Sequence, residues 1–469
     1  MTVDDDHYQL VVLGSGPSGQ KAAIQGAKAG LRVIVVEREV QVGGACVHQG
    51  TIPSKTLREA ALQLSRFRQR AAAFRVSVPE NFEISSLMGR LGEVIDRHAE
   101  SLRKYFGALG IDRIHGRGRF LDSHTVEVVS PGGGKRQLKG DRIVVAAGSR
   151  PRDPKDIPVD HEHILDSDSI LSMSYLPRSL VVLGGGVIAC EYASIFQALE
   201  VNVTIVNRSE LPLAFLEPEL SNIFVDGFHR AGGSYLGGCE IESIEWDGIS
   251  AVATKLADGR RLEADKVLFT LGRVANTDGL GLDVAGVKCN ERGMIDVDHR
   301  CQTSVPHIFA VGDVIGPPSL ASASMEQGRR AIRHALHLEP GTAPENIPVG
   351  IYTIPEMSSV GLTEAQAREE YDDIIVGRAR LDDVARGHIM GVQGGMLKLI
   401  ADANGDRILG AQIAGDGATE LIHLAQTAII GGLGIDYFIQ NIFNFPTLAE
   451  AYREAAIHVA EQRPRSEST

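Results

Sequence analysis

Cysteine is scarce in this chain and never grouped. Its five cysteines, Cys46, Cys190, Cys239, Cys289 and Cys301, are scattered over 469 residues without CxxC spacing. Zinc sites need clustered thiolates or imidazoles, and a disulfide framework needs close pairs, so neither is indicated. Positive charge is also short. Lys and Arg number 47 against 60 Asp and Glu, a formal net charge of −13. Without a concentrated basic patch, nucleic acid and anionic membrane surfaces are excluded as expected partners. Long apolar runs are missing too. No stretch approaches the roughly 20 residues of a membrane-spanning helix. The N-terminal MTVDDDHYQL places acids where a secretory signal needs basic residues and then an apolar run. A cytoplasmic protein kept in a reduced state is the expectation.

What is present is ordinary in bulk and unusual in detail. Hydrophobic residues at 43% and charged residues at 23% are a globular composition. The length exceeds one core and suits two to four domains. The 52 glycines point to many tight turns or close backbone approaches.

The glycines fall into a repeated unit. Gln9–Leu13 is an apolar run ending in GSGPSG, whose spaced glycines are Gly14, Gly16 and Gly19. A helical stretch, Gln20–Ala29, stops at Gly30, and a second apolar strand, Arg32–Val36, ends on Glu37. Strand, glycine turn, helix, strand and acid are the order of a dinucleotide fold. The glycines let the backbone approach a pyrophosphate seated on the helix N-terminus. Glu37 is placed to accept hydrogen bonds from a ribose.

The unit recurs at Ser179–Leu183, followed by GGGVIA with Gly184, Gly186 and Ala189 at the matching positions. A helix to about Leu199 and a strand over Asn202–Val206 complete it. The 23-residue offset from Gly14 to Glu37, counted from Gly184, lands on Asn207, with Arg208 next. An acid there bonds the 2′-hydroxyl of NAD and repels the 2′-phosphate of NADP. Asn207 bonds a hydroxyl without repelling a phosphate, and Arg208 has the charge to pair with one. The site is therefore expected to accept both nicotinamides. A solvated surface role for Arg208 stays open.

Further strands fit a central sheet: Arg142–Ala146 before Gly148, Lys266–Thr270 before Gly272, and His307–Val311 before Gly312 and Asp313. After about Asn346 the pattern changes. Strands at Met396–Ile400 and Ile408–Ile413 mix with an apolar helix over Thr419–Ile430, which reads as a separate α+β domain. The tail EQRPRSEST is expected to be disordered.

Three further segments carry a family likeness: GGACVHQGTIPSK from Gly43 to Lys55, AVGD at Ala310–Asp313, and NFPTLAEAYREA from Asn444. With the two dinucleotide units they make the chain resemble the pyridine nucleotide-disulfide oxidoreductases over nearly its whole length. The resemblance implies an α/β fold with two Rossmann-like domains, binding FAD and NAD(P), and a C-terminal α+β dimerisation domain. Residues 1–151 and 276–345 would form the FAD domain, 152–275 the NAD(P) domain and 346–469 the dimerisation domain. Lys55 matches the family lysine beside the flavin, and Glu191 the acid that pairs with it. Asp313 matches the residue that bonds the ribityl chain, while Gly43 and Gly44 would lie against the cofactor's phosphates. A homo-oligomer, at least a dimer, follows, with Phe445 and Glu450 completing the neighbour's pocket.

Two departures from the family pattern bear on the chemistry. The family's redox disulfide uses two cysteines in the GGxC segment; here Cys46 holds the first place and Thr51 the second. A hydroxyl cannot close a disulfide or expel a mixed-disulfide product. The imidazole that precedes the family's C-terminal Pro-Thr is replaced by Phe445, removing the expected proton donor. Disulfide reduction is therefore excluded as an expectation. Cys46 itself is either an apolar filler or a redox group, and His48 has no assigned role. What survives resembles the transhydrogenase branch of the family, which passes hydride between NADPH and NAD through FAD in ping-pong fashion. An NAD(P)H dehydrogenase with a quinone or dye as acceptor is the alternative within enzymes. A catalytically silent subunit that keeps FAD for structure is the alternative outside them.

Overall fold

The computed structural model describes residues 6–74, 84–154, 157–341 and 345–464. The disorder expected of the C-terminal tail falls chiefly on residues 465–469, outside the described residues.

Runs of β-branched and apolar residues with no polar alternation suit strands covered on both faces. Val33–Glu37 is buried at every position, and His7–Leu13 is buried over its last four. These strands form a parallel core with Asp112–His115, Lys135–Val145 and Ile308–Ala310. The sheet then turns antiparallel through Thr125–Val129 and Arg117–Phe120. Lys135–Val145 is longer than the sequence pattern indicated. Its first half, KRQLKGD, pairs with the antiparallel strand and is mostly exposed, so it carries no apolar signal.

The second unit builds its own parallel sheet in the order Ser234–Leu236, Asn202–Val206, Ser179–Leu183, Lys266–Phe269 and Ile164–Leu165. An antiparallel sheet of Ile241–Trp246, Val252–Leu256 and Arg261–Ala264 lies beside it. The chain enters and leaves this region side by side, because Ser149–Pro151 pairs antiparallel with Arg273–Ala275.

The C-terminal region is a five-stranded antiparallel sheet. Val349–Ile351, Met357–Gly361, Ile408–Ala414, Met396–Asp402 and Ile374–Arg380 follow in that order. The helices Ala418–Ile430 and Glu450–Ala460 pack with it, and Tyr452 and Phe438 stack at 4.7 Å in its buried core.

Two electrostatic joints tie these parts together. Lys398, only 1% exposed, meets Glu217 at 3.2 Å, Glu219 at 2.8 Å and Glu364 at 2.8 Å. Arg378 adds contacts of 2.7 Å to Glu219 and 3.2 Å to Glu364. The helix Pro218–Arg230 is thereby fastened to the C-terminal sheet. The second joint is the helix Thr51–Phe74. Its Arg58 reaches Glu356 at 3.0 Å, Arg66 reaches Asp416 at 2.6 Å, and Arg68 reaches Glu200 at 2.8 Å. Among the described residues no helix is long and apolar enough to cross a membrane.

Candidate active site

The helix Pro17–Lys28 begins one residue after Gly16, with Pro17 at its first position. That start lies earlier than the apolar pattern suggested, because proline is pre-set for a helix's first turn but carries no periodic signal. No side chain caps this N-terminus, and its first turn holds no acid. The helix Val187–Ala198, starting after Gly186, repeats both features. Two uncapped helix starts with no acid in their first turn are what a bound pyrophosphate requires. Close packing explains two of the glycines. A Cβ on Gly19 would stand 2.0 Å from the Gly14 carbonyl oxygen, and one on Gly44 would stand 2.7 Å from Gly16 Cα.

Glu37 lies beside the first turn. One of its oxygens accepts from Ser15 N at 2.9 Å and Ser15 Oγ at 2.5 Å, and the other accepts from Glu39 N at 3.0 Å. Gly43 N donates to Ser15 Oγ at 2.9 Å, which ties the GGACVHQ loop to the same point. Ser15 was visible in the glycine turn, but its bridging role depends on a loop 28 residues away. On the far wall, Ser149 Oγ donates to Asp313 Oδ2 at 2.7 Å and accepts from Arg273 Nε at 2.9 Å.

The two units meet at Lys55 and Glu191. Lys55 Nζ stands 2.7 Å from Glu191 Oε2, with the side chains 27% and 6% exposed. Glu191 Oε1 accepts from Tyr352 N at 2.9 Å, and the Lys55 ammonium lies 5.0 Å from the Tyr352 ring centroid. The carboxylate is therefore held at both oxygens, by side chain and backbone from two other parts of the chain. Tyr352 carries no sequence signal of its role, because it acts through its backbone N–H. Close by, burial pushes the Asp168 carboxyl up despite the opposing charge of Arg273. The phenol of Tyr192 is raised by burial and then by Glu191 and Asp168, and its oxygen has no hydrogen-bond partner among the described residues.

All five cysteines are free. Burial raises the Cys46 thiol above its usual range, against smaller pulls from its hydrogen bond with Thr51 and from the Lys55 charge. A thiol so held stays protonated near neutrality and is a poor nucleophile. His48 Nε2 stands 3.0 Å from Val42 O, which makes it part of the loop's own bonding.

In the second unit the amide nitrogen of Asn207 contacts Ser209 O at 3.1 Å, Leu211 O at 3.3 Å and Tyr235 Oη at 2.9 Å. Its amide oxygen remains the group able to take a ribose hydroxyl. Arg208 is 84% exposed and pairs with Glu240 at 3.4 Å.

These parts surround one continuous cavity of about 1420 Å³. That exceeds the roughly 300–1,000 Å³ of a typical single-ligand pocket. Its wall includes Gly14, Gly16, Glu37, Gly44, Cys46, Thr51, Lys55, Gly148 and Asp313 from the first domain region. Gly186 and Glu191 join from the second unit, and Tyr352 from the C-terminal region. Gly19, Gly43, Gly184, Ala189, Gly272 and Gly312 lie outside that wall, as do Asn207 and Arg208. Gly19 and Gly43 serve packing, since a Cβ on Gly43 would stand 2.7 Å from Val47 Cβ. A cavity of this size with a glycine cradle, a bonded acid and a cation in its wall fits FAD and a nicotinamide dinucleotide.

Comparison with known proteins supports that fit. Residues 8–328 match the pyridine nucleotide-disulphide oxidoreductase family, and residues 347–456 match its dimerisation domain. The chain is 42% identical to the soluble pyridine nucleotide transhydrogenase of Mycobacterium bovis (strain BCG / Pasteur 1173P2), over 96% of this chain and 97% of that one. It is 42% identical to the protein of that name from Marinomonas sp. (strain MWYL1), over 96% and 98% of the two chains. Among solved structures it is similar to LpdA from Mycobacterium tuberculosis, with a TM-score of 0.88 and 26% identity over 96% and 98% of the chains. The HOCl-induced flavoprotein disulfide reductase RclA from Escherichia coli gives 0.87 and 28%, over 96% and 100%.

Proposed function

This chain belongs to the pyridine nucleotide-disulphide oxidoreductase family, and on that premise we propose that it moves hydride between NADPH and NAD. The carrying observation is the Lys55–Glu191 pair, lying in one cavity with both uncapped helix starts, where a thiol relay lacks its second sulfur. FAD, when bound, supplies a ring that takes a hydride from one nicotinamide and gives it to the next. The helix starts after Gly16 and Gly186 hold the two pyrophosphates. Glu37 takes a ribose, and Asp313 a hydroxyl of the flavin side chain. The Lys55 ammonium opposes the negative charge that hydride brings, and Glu191 with Tyr352 N holds it in place. Cys46 stays a neutral thiol, and Thr51 cannot close a disulfide with it.

The two dinucleotides then use the second unit in turn, which makes the kinetics ping-pong. We assign FAD to residues 1–151 and 276–345, the nicotinamides to 152–275, and a two-fold dimer to 346–469. Ile442 at 98% and Phe445 at 73% exposed give the last part an apolar face that a second copy would cover. The relatives' names support this activity, and the disulfide reductase among the structural neighbours, at 28%, is less identical than these relatives at 42%.

The test is an anaerobic assay of FAD-loaded protein with NADPH and a thio-analogue of NAD, with no thiol or quinone added. Appearance of the reduced analogue supports the proposal. Flavin bleaching by NADPH without transfer to the analogue would overturn it in favour of a diaphorase.

A further inference from the structure

We propose that Glu240 determines specificity in the second dinucleotide unit, by holding Arg208 in an ion pair that the 2′-phosphate of NADP must break. The inference rests on the functional reading above, in which NAD and NADP take turns at one site.

The backbone beneath Arg208 is fixed, while its side chain is exposed and meets Glu240 alone among the ion pairs of the described residues. Asn207, immediately before it, is locked under the glycine turn: a Cβ on Gly185 would stand 2.4 Å from Asn207 Nδ2. The segment bearing Glu240 is bonded to the same loop, with Cys239 N donating to Asn207 O at 2.9 Å and Gly238 N to Ser209 O at 3.3 Å. Arg208 and Glu240 thus face each other from two joined segments, at 3.4 Å, with side chains 84% and 63% exposed. A second carboxylate borders the rim, since Glu210 Oε1 lies 2.6 Å from where a Cβ on Gly238 would be. The nearby Arg260 offers no spare charge. It is held by Asp258 at 2.5 Å and donates to Cys239 Sγ at 2.8 Å.

The consequence separates the two dinucleotides. The neutral 2′-hydroxyl of NAD leaves the Arg208–Glu240 pair undisturbed. A 2′-phosphate claims Arg208, and the displaced carboxylate of Glu240 remains close enough to repel it. Glu240 therefore weakens NADP binding alone. A site shared in sequence by two ligands stalls when one binds far more tightly than the other. Drawing the two affinities together lets NAD follow NADPH into the pocket.

The experiment is calorimetry on the holoprotein with two probes, adenosine 2′,5′-bisphosphate and 5′-AMP, alongside Michaelis constants for NADPH and NADH. Glu240→Gln should tighten the bisphosphate about threefold to tenfold, the scale of one exposed pair and its displaced charge. It should leave 5′-AMP and NADH unchanged. In an Arg208→Ala background the gain should be smaller, because only the direct repulsion between carboxylate and phosphate is left to relieve. Glu245→Gln, which removes an acid paired with Lys255 on the same domain, controls for net charge. Equal effects on both probes, no effect of Glu240→Gln, or an equal effect of Glu245→Gln would overturn the role of Glu240. If wild-type protein exchanges hydride normally, that failure leaves the functional reading intact. Wild-type protein that neither prefers the bisphosphate nor takes hydride from NADPH would overturn both.

Discussion

Replacing Glu191 by Gln tests the centre of the site with almost no change of shape. At 2.7 Å two unit charges attract by about 6 kcal/mol at an effective dielectric near 20. Desolvating a carboxylate that is 6% exposed offsets much of this. Lys55, at 27% exposed, keeps part of its hydration when the charge opposite it is removed. The net loss is expected to be about 1–3 kcal/mol, below the range for a fully buried pair. The larger effect is on geometry. Glutamine can still accept from Tyr352 N, but its other end then presents N–H to an ammonium, so Lys55 turns away. What remains to orient Lys55 is Ser54 Oγ at 3.4 Å and the Tyr352 ring at 5.0 Å, the latter contributing about 0.5–1 kcal/mol. Displacement of a positioning cation by an ångström costs about 10²-fold in rate. The anaerobic rate of flavin bleaching by NADPH, followed by stopped flow, should fall by that order while flavin content stays normal. A bleaching rate within about twofold of wild type would refute the reasoning, because the pair would then be a structural joint only.

Other parts of the site and scaffold give independent checks. Glu37→Ala removes the acceptor of Ser15 N and Oγ and, on the proposed function, that of a ribose; flavin bound per chain after gel filtration should drop, and unchanged flavin content would remove Glu37 from the site. Cys46→Ser should leave hydride exchange within about threefold of wild type, since a thiol raised by burial does no nucleophilic work; loss of activity would give Cys46 a redox role. Lys398→Met leaves Glu217, Glu219 and Glu364 with too little positive charge and should cost about 3–5 kcal/mol in urea unfolding at neutral pH. The Glu219 carboxyl is held down to about 2, first by its bond with Arg378. A depressed carboxylate stabilises fully above its unfolded pKa near 4.3, and that contribution is lost as pH falls from about 4 towards about 2. The cost of Lys398→Met should therefore shrink as pH falls from about 4 towards about 2, and a cost that does not change with pH would count against the cluster.

What the sequence made legible was local or repeated. The two glycine turns stand out because each lies between apolar strands with a helix following, and the second strand of each unit appears at or within one residue of its expected place. Asn207 and Arg208 follow from a counted offset, but Glu240, the partner of Arg208, comes from another strand connection and leaves no spacing to count. Lys398 looks in sequence like any strand lysine. Its burial depends on where the helix Pro218–Arg230 docks, a property of tertiary packing. The exposed half of Lys135–Val145 was invisible for the opposite reason, since a strand held by backbone pairing at a solvated edge needs no apolar pattern.

The helix Thr51–Phe74 explains why the GTIPSK segment and the C-terminal domain act as one device. Lys55 and Arg58 are three residues apart, so they rise from neighbouring positions on one face of that helix. Lys55 holds Glu191, Glu191 accepts from Tyr352 N, and the next residue, Thr353, accepts through its carbonyl from Arg58 at 3.2 Å. The path returns to the helix it left, one turn on. A closed loop of charged and backbone bonds resists distortion at any one member, because each bond is aligned by the next. Glu356 strengthens the return arm, pairing with Arg58 and accepting from Thr419 N and Oγ1 at 3.2 and 2.8 Å. The position of the ammonium in the cavity wall is thus set as much by residues 352–356 as by its own motif. A substitution at Arg58, which does not line the cavity, should therefore disturb the hydride step before it disturbs flavin binding.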